Sequence, residues 1–517
     1  MNTLLTSLVA ISFSWIVYSL LQYGRREKSL PPGPPTIPIL GNIHLVPIQF
    51  PFLKFTEWAK EYGGIMSIKV ANGTAIVLSD MRIVKELLDD HSNETSSRPT
   101  LHAADSVTGK NYFALATSDN KLWQIGRKVI QPLVSSQAVQ SHLPIAERET
   151  AQLLYDLLER PDDLCSHVSR ATLSFVTSVV FGKPTPQYDS PEAELFRTYM
   201  RSFSATIAPA AAPVDLVPLL KYVPEICAPW KRLWKRTRNL QRSLYFSLLE
   251  FAESQVGMGH RNGTLMESIL SKKDELGLTR EMVGYIGGIM LDGGAETSAA
   301  LIQSLILCLL DSPESQKRAQ QEIDSVVGLS RLPQPSDIQD LPYVQAMIKE
   351  IHRLRPAGPL GIPHSAKEDF SYGQYIIPKG APIFTNVWGI LHDPNLFERP
   401  DEFFPERYLM SVDGTIPGLQ KGYTIRTSLP FGSGKRLCPG MHLATTNISL
   451  AVMRLLWAFD FSPLKEKAHV LTSTAPSNLA DHFIDGINLA PKPFRCKVTP
   501  RSTEKMTVIQ DSYHRSQ

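Results

Sequence analysis

Cysteine is scarce in this chain. Its 517 residues carry five, Cys165, Cys227, Cys308, Cys438 and Cys496, with no CxxC pair and no close spacing. That disfavours a disulfide framework and a zinc site, and leaves reduced thiols as the default. Excess charge is lacking too. A formal net charge of +3 gives no whole-chain argument for nucleic acid as a partner, although a local basic face can still dock an acidic one. There is no internal repeat, no long low-complexity run and no dinucleotide fingerprint, so the chain has no nucleotide-binding turn of its own. What remains is an ordinary globular composition, 43% apolar and 20% charged, long enough to bury a sizeable core.

One absence is local. Met1 to Gly24 contains no charged residue, and LLTSLVAISFSWIVYSLLQY (4–23) has the length that crosses a bilayer as a helix, with Trp15, Tyr18 and Tyr23 as its aromatic members. Arg25, Arg26 and Lys28 follow at once, and positive charge on that side holds the C-terminal flank in the cytosol. The alternative, a cleaved signal peptide, needs a basic n-region that this segment does not have. The expectation is a transmembrane anchor over 1–24 and a basic, proline-rich linker over 25–50, stiffened by PPGPP at 31–35. A cytosolic body over 51–502 and a frayed polar C-terminal tail over 503–517 follow.

Within the body, IMSIKVANGTAIVLSD (65–80) partly alternates apolar and polar residues around Asn72-Gly73, a favoured two-residue hairpin turn. A helical pattern starts at Ser118 and is closed by Pro132, and helical patterns dominate from about 135 to 355. Short strand-like pieces return from Tyr372 to Phe384. The longest apolar helix, Met282 to Leu310, is interrupted by Gly287, Gly288, Asp292, Gly293, Gly294 and Glu296, which reads as a buried helix with a gap cut into it, not a second membrane span. The fold class is mainly α with small β-sheets.

Four motifs carry chemistry. FGSGKRLCPG (431–440) sets Cys438 among Gly432, Gly434 and Gly440, after Phe431 and Arg436 and before Pro439 and a long apolar helix pattern. A sulfur at a helix N-terminus favours the thiolate, glycines let backbone approach something large and flat, and Arg436 supplies a charge of the kind that pairs with a carboxylate. Read in isolation, the same residues also suit a buried structural cysteine. GGAET (293–297) places Glu296 and Thr297 beside a gap left by paired glycines, an acid and a hydroxyl for proton transfer, or a helix kinked for packing. Glu350 and Arg353 in KEIHRLRP (349–356) are spaced for one helix face, but the same ExxR spacing recurs at Glu194 and Arg197, so spacing alone says little. Trp123 and Arg127 in WQIGR lie one turn apart and could offer an indole N–H and a guanidinium to one anion, or be an amphipathic helix with a partly buried Trp.

Together these motifs resemble the cytochrome P-450 family of haem-thiolate monooxygenases over essentially the whole chain. The resemblance implies the cytochrome P-450 fold, a single large domain behind an N-terminal transmembrane helix. It implies haem b (iron protoporphyrin IX) with Cys438 as axial ligand of the iron and Phe431, Gly432, Gly434 and Gly440 as its bed. Trp123, Arg127 and Arg436 would hold the haem, and His364, standing where many members have Arg, would make a weaker or pH-dependent contact with the propionates. Thr297 and Glu296 would be catalytic, delivering protons to oxygen, with Glu where many members have Asp. Glu350, Arg353 and Arg407 of FFPERYL (403–409) would form a structural triad. Substrate would face 99–117, 200–216, Ile286 to Thr297, 359–363 and 473–478, segments whose few charges suit a lipophilic small molecule such as a terpenoid, polyketide or aromatic alkaloid.

The resemblance further implies electrons from NADPH through a separate diflavin reductase docked near Lys435, cytochrome b5 as an additional partner, and a single-pass endoplasmic reticulum location. The style of the sequence is that of fungal members of specialised metabolism. A haem-thiolate isomerase or dehydratase that needs no O2 stands as the alternative.

Overall fold

The computed structural model describes residues 2–516 except 208–212, 217, 420–426, 465–477 and 487. Two of the expected substrate-facing stretches therefore fall partly (208–212) or almost wholly (473–477) outside the described residues.

The elements that position the site are α1 (Asn2–Gln22), α2 (Lys121–Leu133), α3 (Leu143–Glu159), α4 (Leu164–Phe181), α5 (Pro191–Ile207), α6 (Pro229–Gly257), α7 (Arg280–Asp311), α8 (Pro342–Leu354), α9 (Met441–Ala458) and α10 (Thr503–Ser516). The Asn120 side chain caps α2 by accepting from the Leu122 amide at 2.8 Å, and Thr279 caps α7 through Met282 at 3.2 Å, each satisfying an otherwise orphaned donor. Pro132 sits inside the last turn of α2 instead of closing it. Through the middle of the body runs α7, unbroken from end to end, with α4, α6 and α9 packed against it and α3 behind α4. Among the described residues two segments are long and apolar enough to cross a membrane, Pro161–Phe181 and Arg280–Asp311, and both are mostly buried inside the body.

A four-stranded sheet lies to one side. It runs β1 (Ile65–Val70), β2 (Gly73–Leu78), then β6 (Pro382–Thr385) and β3 (His364–Ser365), with β4 (Phe370–Tyr372) and β5 (Tyr375–Ile377) paired separately. β1 and β2 form the expected hairpin, but Val70 pairs with Gly73, so the two turn residues are Ala71 and Asn72. The turn stands one residue earlier than Asn72-Gly73. This register keeps Met66 opposite Val77, both fully buried, and a one-residue slip would turn one strand's face over. Ala71 takes a φ of 49° as a result.

Two further expectations are corrected. The stretch after α1, expected as a stiff proline-rich linker, is bonded to the body: Arg26 donates to Ser67 Oγ at 2.8 Å and to the Gly33 carbonyl at 2.8 Å, and Ser67 Oγ donates to the Pro31 carbonyl at 2.6 Å. Fully buried Asn42 bridges the Pro34 and Pro35 carbonyls to the Lys69 amide, so the prolines lie along the edge of β1. Nor is the C-terminus frayed. Residues 503–516 form α10, which buries Ile509, stacks Tyr513 on Tyr155 with centroids 4.0 Å apart, and donates from Lys505 Nζ to Asp324 at 2.7 Å and to the Trp457 carbonyl at 3.0 Å. Its polar composition hides one apolar stripe, which is all a docked helix needs.

Candidate active site

Cys438 occupies a loop held open by backbone contacts. Its amide donates to the Phe431 carbonyl at 2.8 Å. Gly434 has φ +55° and donates to Asp89 at 2.7 Å; a Cβ there would stand 1.9 Å from the Leu88 carbonyl oxygen, so no other residue fits. Gly440 is the cap of α9. Cys438 and Pro439 thus precede the helix instead of occupying its first turn. The sulfur accepts from the Gly440 amide and feels the Arg127 charge, both of which pull its pKa down, but burial outweighs them and pushes the thiol up. The expected thiolate shift is not produced by the helix end alone, because the dipole acts only within about its first turn. Phe431 packs against buried His352 with centroids 5.1 Å apart.

Around this loop the structure gathers buried and half-buried cations that have no carboxylate partner among the described residues. Arg436 donates from Nε to the Ser96 carbonyl at 2.8 Å and from Nη2 to the Ala116 carbonyl at 2.7 Å, and its guanidinium lies 4.3 Å from the Trp123 ring centroid. Its Nη1 is buried without any partner. Burial and the nearby Arg127 bring its pKa down to about 9. Arg127 donates to the Leu437 carbonyl at 2.8 Å. Arg98, which sequence reasoning missed, is buried as well: it donates to the carbonyls of Ile362 (2.6 Å), Pro363 (2.7 Å) and Ala114 (3.2 Å). Burial and the Arg436 charge hold it well below its ordinary value.

The signal for Arg98 was available, since it is the lone Lys, Arg, Asp or Glu between Glu94 and Asp105. His364 is buried with Nδ1 3.2 Å from the Thr95 carbonyl, and burial, Arg98 and Arg436 push its pKa well down. Burial and the two guanidiniums thus favour its neutral ring.

On α7 the two glycines do different work. A Cβ on Gly293 would meet nothing within 4 Å, whereas one on Gly294 would stand 2.9 Å from Val176 of α4. Gly293 alone opens the gap, and Gly294 lets two helices approach. Thr297 Oγ1 donates back to the Gly293 carbonyl at 2.7 Å, a bond that fits a hydroxyl to a helix at this spacing. Burial, and the charge of Asp292 one turn before it, raise Glu296 to about 7. Asp292 is itself raised to about 7 by burial, against hydrogen bonds from Tyr245, Tyr199 and Tyr112 that pull the other way.

The two ExxR copies separate completely. Fully buried Glu350 receives Arg353 Nε and Nη2 at 2.9 Å each, Arg407 Nε at 3.0 Å and the Phe404 amide at 2.9 Å. Arg353 goes on to the carbonyls of Leu391, Pro400 and Glu402, and Arg407 to those of Glu398 and Arg399. The other pair, Glu194 and Arg197, is a surface contact with Glu194 58% exposed.

The cytochrome P450 family model matches residues 31–482. A cytochrome P450 monooxygenase of Armillaria gallica is 38% identical over 98% of this chain and 97% of its own length. The cytochrome P450 monooxygenase atE of Aspergillus terreus is also 38% identical, over 89% of this chain and 86% of its own. A zebra fish cytochrome P450 solved with progesterone is 26% identical, with a TM-score of 0.69 over 87% of this chain and 99% of that one. These relatives support oxygen insertion and not the isomerase or dehydratase alternative. Haem iron, which the family carries, fits what the side chains leave open: a free thiol, space beside Gly293, and buried guanidiniums with an orphaned Nη1 that call for an anionic partner such as a pair of propionates. This chain belongs to the cytochrome P450 family and is a monooxygenase.

Proposed function

We propose that the chain hydroxylates or otherwise oxidises a lipophilic small molecule of specialised metabolism, with electrons from NADPH through a separate diflavin reductase and cytochrome b5 as a further donor. The balance is RH + O2 + NADPH + H⁺ → ROH + H2O + NADP⁺. The observation that carries this reading is the set of guanidiniums of buried Arg98 and Arg436 and half-buried Arg127, which have carbonyls but no carboxylate as partners among the described residues and surround the loop of a free cysteine.

In this reading Cys438 Sγ would bind the haem iron, and Arg436, Arg98 and Arg127 would hold the propionates, with the Trp123 ring against Arg436 and His364 nearby. Bound haem supplies oxygen activation, helped by electron donation from a thiolate. The remaining chemistry belongs to the chain. Glu296 holds a proton for the reaction, and Thr297 sets a hydroxyl, oriented by the Gly293 carbonyl, beside the same gap. Glu350, Arg353 and Arg407 act only as scaffold. Helix α1, whose described apolar side chains such as Ile11, Phe13 and Trp15 are two-thirds exposed, is the anchor in the endoplasmic reticulum membrane, with the body in the cytosol. Lys435, exposed and hydrogen-bonded to Asn93, lies on the face assigned to the reductase.

The carbon monoxide difference spectrum of the reduced protein tests the reading, beside a Cys438→Ser control. The expected result is a red-shifted thiolate-type Soret band that the control loses. A histidine-type band, or no haem in folded wild-type protein, would overturn it.

A further inference from the structure

One turn before Glu296, on α7, lies a buried polar cluster that the steps above do not use. Asp292 Oδ2 accepts the hydroxyls of Tyr199 at 2.8 Å, Tyr112 at 3.1 Å and Tyr245. Gln241 Nε2 supports the cage by donating to the Tyr199 hydroxyl at 2.8 Å. The donors come from three separate elements, the loop before α2, α5 and α6, and all meet on one oxygen. The other oxygen, Oδ1, is buried and has no hydrogen-bond partner among the described residues.

This asymmetry fixes where a proton can sit. The Tyr199 and Tyr245 hydroxyls also stand 3.0 Å apart; with each tyrosine's single proton turned to Oδ2, the donation stabilises the charged carboxylate. A proton on Asp292 would have to ride on Oδ1, where no acceptor stands to receive its hydrogen bond. Glu296 is the reverse case. Among the described residues nothing donates to it, it is largely buried, and the group acting on it is the Asp292 charge.

The other charged groups around the cluster are committed elsewhere. Tyr285 of α7 sits edge-on to Tyr245; Arg242 of α6 pairs with Glu281, and Arg238 donates to the Val107 carbonyl at 3.0 Å. From α4 the neighbour of this turn is Val176, which is apolar. No cation forms an ion pair with Asp292 among the described residues.

We propose that Asp292, caged by Tyr112, Tyr199 and Tyr245, is the positioning residue that keeps Glu296 in its acid form, so that the two carboxyls of this helix turn share one proton and Glu296 holds it. The inference rests on the reading of Glu296 as proton donor. Carboxyls at this spacing, with β-carbons about 5–6 Å apart, repel enough to displace a titration by about one to two pH units at the effective dielectric of a protein. Removing the Asp292 charge makes ionised Glu296 less costly, so the midpoint moves toward acid.

The test is an infrared pH titration, from acid to alkaline, of the full-length holoenzyme and of Glu296→Gln, Asp292→Asn and Tyr199→Phe. A carboxylic-acid band that titrates near neutrality and vanishes in Glu296→Gln is expected. In Asp292→Asn its midpoint falls by about one to two units, and in Tyr199→Phe, which deletes one donor and folds if Asp292→Asn does not, it falls by less. A midpoint unmoved in both variants, or a neutral-range band that disappears with Asp292→Asn instead, overturns the inference.

Peroxide formed per NADPH in the presence of reductase separates the two readings. If the infrared midpoint moves while Glu296→Gln leaves the peroxide fraction unchanged, Asp292 has the assigned role and the proton-donor reading of Glu296 fails. If Glu296→Gln raises peroxide while the midpoint stays fixed, the donor reading stands and this inference falls.

Discussion

Replacing Glu350 by Gln exchanges one carboxylate oxygen of a fully buried side chain for an NH2, and it should be among the most damaging conservative changes in the molecule. The carboxylate accepts three guanidinium N–H groups and one amide at 2.9–3.0 Å. Gln offers one carbonyl oxygen in place of two and turns an NH2 toward a guanidinium, so at least one donor pair is left facing another. Arg353 and Arg407 would also keep their charge with no counter-ion, at exposures of 1% and 2%. Breaking a buried pair in this way costs about 3–5 kcal/mol. At about 2 cal/mol/K of unfolding entropy per residue, a body of roughly 450 residues loses about 1 °C of Tm per kcal/mol, so the melt should fall by about 4 °C. The assay is circular dichroism and Soret loss on heating, at one scan rate, for Glu350→Gln beside Glu194→Gln. The second variant changes the same ExxR pattern on the surface, where the glutamate is solvated, and should melt with the wild type. A Glu350→Gln melt within 1 °C of wild type, or equal shifts in both variants, would refute the argument that burial distinguishes the two copies.

Thr297→Ala should divert reducing equivalents to peroxide by removing the hydroxyl held on the Gly293 carbonyl; peroxide per NADPH measures it, and unchanged coupling counts against the relay. Deleting residues 503–517 should cost about 2–4 kcal/mol, the sum of one buried Ile and one stacked aromatic pair, read as a lower melting temperature; an unchanged melt would mean that α10 rests on the body without stabilising it.

Much of the architecture was legible because it is written in local terms. The long apolar pattern of α7, the strand-like pieces at 372–384 and the glycine-rich loop at 431–440 each declare themselves through spacing and turn chemistry. What escaped shares a cause: it depends on what a segment lies against. The hairpin turn moved by one residue because Met66 and Val77 must face each other in the core, and Gly294 proved to be a contact with Val176, which no property of GGAET reveals. The triad was legible only through two motifs far apart in the chain. The tyrosines around Asp292 were missed as site residues because isolated tyrosines carry no pattern, and Arg98 is marked only by the lack of other charges between Glu94 and Asp105.

The segment from Thr95 to Ala116 shows why these missed residues belong to one construction. Its carbonyls at Thr95, Ser96, Ala114 and Ala116 receive His364, Arg436 and Arg98, and its Tyr112 hydroxyl reaches Asp292 on α7. One stretch of backbone therefore sets both the buried cations on the Cys438 side and the charge beside Glu296 on the α7 side. Carbonyl dipoles are fixed only as well as the backbone that bears them, so a shift of this segment displaces the cations and the tyrosine cage together. Guanidiniums satisfied by carbonyls keep their full charge for an anionic partner, where pairing with Asp or Glu would cancel it. That is why the absence of a carboxylate around Arg98, Arg127 and Arg436 says more about what this cavity holds than any single motif in the sequence.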